Sequence, residues 1–303
     1  MKPYWVIATL LVASSAIDAS PVSPNSVKVM LISANFTALV DSLVANRLDD
    51  VLNATGPITI FCPTNEAFKA MMDNKPEMVK GFNGNTTHFK RFLHYHVVPR
   101  KIMPADIHND MTVTPFLKDK QLRFNVYGTD KKIMTVNGVM FGVPTVVTPT
   151  VVMYKLNNFL LCAIGGGIFD LLKIHKQENK QQHFTILVEA IQLVNLTHTL
   201  EKEGPFTLFA PNDDAFRRLP DGVLNKLMAS PAELKTILLG HIVSGTYFLS
   251  GLTNESDLPT LDGRSNRIAV GNTLTVDGAK INVEADMLAA NGVVHVIDRV
   301  LMS

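Results

Sequence analysis

Residues 207–216 read Thr-Leu-Phe-Ala-Pro-Asn-Asp-Asp-Ala-Phe. Thr207 to Ala210 are β-branched, apolar or small, which suits a buried strand. Pro211 cannot donate to a sheet ladder, so the strand stops there. Asn212 is a good helix N-cap. Asp213 and Asp214 then fall in the first helical turn, where the helix dipole favours negative charge. Ala215, Phe216 and Leu219 give the new helix an apolar face. The stretch predicts strand, sharp turn and capped helix. Residues 59–68, Thr-Ile-Phe-Cys-Pro-Thr-Asn-Glu-Ala-Phe, repeat it, with Thr64 as cap and Glu66 in the first turn.

The repeat extends beyond the motif. With a shift of 148 residues, residues 36–68 fall on 184–216, and 13 of the 33 positions are identical. They include Phe36/Phe184, Leu39/Leu187, Leu52/Leu200, Gly56/Gly204, Pro57/Pro205 and Phe68/Phe216. That period is far longer than the roughly 20–50 residues of solenoid repeats, so each copy is expected to be a whole domain.

In the first copy, Leu39, Val40, Leu43 and Val44 recur at helical spacing and predict a helix over about 35–50, ended before Gly56-Pro57. A second helix is expected over 87–95, presenting Phe89, Phe92 and Leu93. Strands are expected at 121–127, 132–136, 139–147 and 151–156, with Asn137-Gly138 as a hairpin turn. The second copy follows the same plan, with helices over 168–178, 184–200, 224–228 and 234–239 and a matching Asp277-Gly278 turn. Helices followed by runs of strands indicate α+β domains.

The strand-turn-helix pair resembles the signature of fasciclin domains. Residues 291–301, Asn-Gly-Val-Val-His-Val-Ile-Asp-Arg-Val-Leu, resemble the final strand of the same domain. The resemblance implies two tandem fasciclin domains, each a wedge-shaped β-sandwich with packed α-helices. The boundaries read as a signal peptide at 1–19, domain one at 25–162 and domain two at 166–303. The segment between them, about 162–168, is short and glycine-rich, which suits a hinge, although such domains often pack closely.

Met1-Lys2-Pro3, an apolar run from Tyr4 to Ala13 and then small residues make up a secretory leader, with cleavage expected after Ala16 or Ala19. The run is too short to span a bilayer, and no later segment reaches spanning length. Five sequons, at Asn35, Asn53, Asn85, Asn195 and Asn254, fit a secreted glycoprotein of the extracellular space or matrix. Asn35 also precedes a helix, and a capping role competes with a glycan there. Composition is 47% hydrophobic and 18% charged, with net charge +1. It supports folded cores, and no nucleic-acid footprint is visible. Two cysteines, Cys62 and Cys162, are far too few for a disulfide scaffold. An oxidising compartment would permit a 62–162 bridge. The alternative is a buried free thiol at Cys62, which occupies the strand position of Ala210.

No catalytic constellation emerges. His94 and His96 share i, i+2 spacing, yet no Cys, Asp or Glu cluster completes a metal site. No Gly-x-Ser-x-Gly elbow is present, and Gly165-Gly166-Gly167 lacks the lysine of a phosphate loop. The expectation is a non-enzyme without cofactor or metal. Tyr95-His96 matches the family's tyrosine-histidine motif, which is implicated in integrin binding; the competing reading is core packing. Domain two has Gly240-His241 there. Glu284-Ala-Asp286-Met287-Leu stands where the family carries a second integrin-linked motif, with Ala285 replacing its proline. Glu284, Asp286 and Met287 are therefore candidate partner contacts, against the alternative of an ordinary solvated acidic loop. His295, in an alternating strand, reads as a structural residue. The resemblance implies cell adhesion or matrix interaction through protein contacts, with an integrin-like receptor, a matrix protein or a second copy as partner. The alternative is an extracellular carbohydrate- or lipid-binding module. The single Trp, inside the leader, and five Tyr argue mildly against sugar stacking.

Overall fold

The computed structural model describes residues 26–54, 56–74, 86–128, 132–163, 165–178, 183–202, 204–252, 257–282 and 286–302. In domain one the order is α1 (Val27–Ser33), α2 (Thr37–Ala45), α3 (Asp49–Leu52), β1 (Ile58–Pro63), α4 (Asn65–Asn74), α5 (Thr86–Tyr95) and β2 (Val97–Val98). Then follow β3 (Met111–Val113), β4 (Leu122–Tyr127), β5 (Ile133–Val136), β6 (Val139–Phe141), β7 (Val146–Val147) and β8 (Val151–Leu156). The strands form two sheets, β2-β1-β8-β7 and β3-β4-β5-β6.

Strand β1 is buried along its whole length because both of its faces are covered. Ile58, Ile60 and Cys62 face the helices and join a core with Leu39, Leu43, Phe68 and Phe89. Phe61 faces the other way, into a core between the sheets with Tyr95, Phe124, Val136 and Tyr154. It stacks on Tyr154, with ring centroids 5.4 Å apart.

Domain two repeats the plan. Its helices are α6 (Ile168–Glu178), α7 (Thr185–Leu193), α8 (Thr197–Lys202), α9 (Asp213–Arg217), α10 (Val223–Met228) and α11 (Pro231–Gly240), with β9 (Phe206–Pro211) between α8 and α9. Its remaining strands are β10 (Ile242–Ser244), β11 (Asp257–Pro259), β12 (Ser265–Val270), β13 (Leu274–Val276), β14 (Ala279–Lys280), β15 (Met287–Ala289) and β16 (Gly292–Ile297). The sheets are β10-β9-β16-β15 and β11-β12-β13-β14. Strands β9 and β16 run parallel with Phe209 opposite His295, as Phe61 lies opposite Tyr154.

The signature turn does more than the sequence shows. Thr64 and Asn212 cap their own helices, accepting from Ala67 N at 3.1 Å and Ala215 N at 2.8 Å. The next residue caps a different helix. Asn65 Oδ1 accepts from Ala38 N at 3.0 Å, and Asp213 Oδ1 accepts from Ile186 N at 2.9 Å. Each signature therefore satisfies orphan donors at two helix starts.

Three expected elements divide. The helix expected over 35–50 breaks at Arg47, and that over 184–200 breaks at Asn195, both with positive φ. The strand expected over 139–147 is two pieces, β6 and β7. Asn35 is itself left-handed at φ 64 and Phe36 holds the N-cap position, so the capping role expected of Asn35 falls to Asn65. The glycine-rich connection is packed down. Gly166 O accepts from Ala290 N at 3.0 Å, and a Cβ on Gly167 would meet Glu201 O at 2.6 Å.

Candidate functional site

The end of α5 carries the tyrosine-histidine pair. Tyr95 points into the wedge between the sheets, and its hydroxyl donates to Gln121 O at 2.7 Å. That hydroxyl accepts from Asn137 Nδ2 at 2.6 Å. Burial pushes the phenol above its ordinary range. His96 is buried too. Its Nε2 accepts from Leu160 N at 3.0 Å, so the proton sits on Nδ1, which donates to Phe92 O at 2.9 Å. Desolvation lowers its pKa to about 4. His241 repeats the arrangement, bonding Ile237 O at 2.8 Å and Leu301 N at 2.9 Å. Each histidine staples a helix end to the chain beyond the last strand of its domain. The structure thus places Tyr95 and His96 in the core, the competing reading of that motif.

The second candidate lies between the domains. Segment 245–252 of domain two rests on the outer face of β4 and β5. Asn125 Nδ2 donates to Thr246 Oγ1 at 2.8 Å and Thr246 O at 3.2 Å. Tyr127 donates to Thr246 O at 3.1 Å and accepts from Phe248 N at 3.1 Å. Thr246 Oγ1 also donates to Asp110, whose carboxylate faces Arg123 at 3.4 Å. The Tyr127 ring closes on Gly251, where a Cβ would collide with it.

Asp286 belongs to this junction. Its Oδ1 accepts from Leu249 N at 2.9 Å and lies 3.7 Å from His295 Nδ1. Its Oδ2 lies against Gly138 of domain one, where a Cβ would sit 2.8 Å away. The side chain is 18% exposed. Desolvation raises the Asp286 carboxyl and lowers His295, whose Nε2 donates to Tyr247 O at 2.7 Å. The acid expected on a solvated loop is instead covered by the neighbouring domain. Met287 is half-buried and packs against the helix-side core of domain two, and Glu284 lies outside the described residues.

The junction nevertheless gathers both motifs. A crevice of about 140 Å³ between the domains is lined by Tyr95, Gln121 and Arg123 on one side and Leu288, Ala290 and Gly292 on the other. Arg123 Nη2 closes one side by donating to Ala290 O at 3.3 Å. Sequence reading missed Asp110, Asn125, Tyr127 and Thr246. One signal was available: Asn125 is an amide inside a strand where the second copy has Ala269.

The cysteine bridge is not formed, and both thiols are free. Cys62 faces the helix-side core, whereas Cys162 packs against the core between the sheets, so β1 itself separates them. Burial pushes Cys162 up to about 11 and Cys62 higher still. Asn35, Asn53 and Asn195 are exposed, while Asn85 and Asn254 lie outside the described residues. Among the described residues, no three or more His, Cys, Asp or Glu gather as a metal site, and no helix is long and apolar enough to cross a membrane.

The model of the fasciclin domain matches residues 34–162 and 182–303. Pig transforming growth factor-beta-induced protein ig-h3 is 26% identical over 258 residues, 84% of this chain and 36% of that protein. Human periostin is 25% identical over 260 residues, 85% of this chain and 30% of that protein. The chain thus spans about a third of the length of these curated relatives. An uncharacterised Synechocystis protein is 35% identical over 121 residues, 40% of this chain and 90% of that protein. A solved FAS1 domain pair from the insect cell adhesion molecule fasciclin I aligns at TM-score 0.42 and 19% identity. The alignment covers 90% of this chain and 98% of that one.

Proposed function

The chain belongs to the fasciclin domain family, and on that footing we propose that it is a secreted, N-glycosylated, non-enzymatic protein of cell adhesion or the extracellular matrix. It works through protein contacts, with an integrin-type receptor or a matrix protein as partner. The observation that carries this reading is the convergence of Tyr95 and the 286–292 hairpin, distant in sequence, on one interdomain crevice. The buried histidines support it, because each ring bonds the backbone and shapes a surface.

In this reading Tyr95, His96 and Asp286 hold the shape of the crevice, and its mouth makes the contact. Leu288 stands at that mouth and is half-buried. Leu288→Asp is expected to reduce attachment of cells to surfaces coated with the chain, with little change in melting. A folded Leu288→Asp chain that supports full attachment would remove the crevice from the mechanism. A parent chain that attaches no cells and retains no matrix component would overturn the adhesion reading itself.

A further inference from the structure

Domain two meets domain one through two pieces, segment 245–252 and the β15–β16 hairpin. Domain one carries the same two pieces, and there Arg100, Val143, Val147 and Pro149 are exposed. Hydrogen bonds fix the correspondence. Thr59 Oγ1 donates to Arg100 O at 2.8 Å and accepts from Ile102 N at 2.9 Å. Thr207 Oγ1 does the same with Gly245 O and Tyr247 N, at 2.8 and 2.9 Å. Arg100-Lys101 therefore stand where Gly245-Thr246 enter the junction. In the hairpins Val147 pairs with Val152 as Leu288 pairs with Val293, so Val147 occupies the position of Leu288. Val147 is 49% exposed, and Val143, at the approach to the hairpin, is 81% exposed. Lys101 Nζ donates to Thr148 O at 2.9 Å and ties the two pieces into one face.

The receiving surface is duplicated as well. Asn125 lies opposite Thr135 in β4–β5, and Ala269 lies opposite Thr275 in β12–β13. Ala269 and Gly271 thus stand where Asn125 and Tyr127 hold domain two, and Arg267 stands where Arg123 reaches Ala290 O. The position of Ala290 is Pro149 in domain one, an exposed residue whose carbonyl is the corresponding acceptor. Sizes are exchanged across the two surfaces. The open inserting face carries Arg100 and Lys101 for Gly245 and Thr246, and the open receiving face carries Ala269 and Gly271 for Asn125 and Tyr127.

We propose that domain one of one copy docks on domain two of a second copy, through Arg100, Lys101 and residues 143–150 against the outer face of β12 and β13. The contact repeats, between chains, the junction already present within one chain. Two unlike surfaces meet, so each copy keeps one surface open and association continues end to end.

Sedimentation velocity on the deglycosylated mature chain tests this. The sedimentation coefficient is expected to rise with concentration, without a plateau at the dimer. The inserting-face variant V143D/V147D and the receiving-face variant Ala269→Trp change exposed positions, and each is expected to stay monomeric with the parent's melting temperature. Mixed in equal amounts, they retain one intact inserting face and one intact receiving face, and are expected to form a dimer and nothing larger. Leu193→Asp, an exposed change on α7, is expected to associate like the parent. A parent that remains monomeric at every concentration would overturn the proposal. So would V143D/V147D assembling like the parent, or a mixture of the two variants that stays monomeric.

Discussion

Acid should unfold domain one through His96. Burial lowers this imidazole from 6.5 to about 4, and both ring nitrogens are engaged, Nδ1 on Phe92 O and Nε2 on Leu160 N. Protonation would force Nε2 to give up its role as acceptor. The direction is opposite to that of a histidine held by a carboxylate. Above pH 6.5 both folded and unfolded chains hold a neutral ring, and the stability is complete. Between pH 6.5 and about 4 the unfolded chain takes a proton that the folded chain refuses, so stability falls as pH falls. Below about 4 both states are charged and the loss stops. Each unit corresponds to about 1.4 kcal/mol, so the full loss is about 3 kcal/mol. Tyrosine fluorescence can follow urea unfolding of this domain, because Tyr95, Tyr127 and Tyr154 lie in it and only Tyr247 lies in domain two. His96→Gln is expected to be less stable at neutral pH by about 1–3 kcal/mol, for an orphaned backbone group. It should also show a flatter pH profile than the parent between pH 6.5 and 4.5. A variant whose stability falls with acid as steeply as the parent's would refute the assignment. An NMR titration placing the His96 ring near 6.5 in the folded chain would do the same.

Other outcomes follow from burial and from the junction. Phe209 is fully buried beside His295, with ring centroids 5.7 Å apart, and Phe209→Ala should cost about 3–5 kcal/mol by chemical denaturation. Gly138 has φ +79 and faces Asp286 and Phe248 at 2.8 Å from an added Cβ. Gly138→Ala should therefore loosen the domain pair, seen as a larger radius in small-angle scattering; an unchanged radius and melting curve would contradict the packing. Asp286→Ala leaves Leu249 N without its acceptor and should lower stability by about 1–3 kcal/mol, more than the roughly 0.5 kcal/mol of a solvated acid. The non-reduced chain should carry two free thiols by mass, with Cys162 alkylating slowly and Cys62 only on unfolding; a mass two hydrogen atoms short would restore the bridge.

The sequence by itself determined the domain plan, because its signals are local. Proline ends β9, and Asn212 caps α9 three residues before the amide it binds. The internal repeat then doubled each inference. The two faces of β1 were less legible, since a strand buried on both sides shows no alternation, and the split of Cys62 from Cys162 follows from that. The site was decided by tertiary structure. Asp213 reads as a first-turn acid, yet it caps a different helix through Ile186 N, 27 residues away. Asp286 reads as a surface acid because nothing near it in sequence covers it; Leu249 of its own domain binds it once that domain folds, and Gly138 covers it when the domains meet. Tyr95 becomes part of a crevice for the same reason. Local propensity is carried by neighbours along the chain, whereas burial and desolvation depend on groups that folding brings together, and these set where a carboxylate or phenol can act.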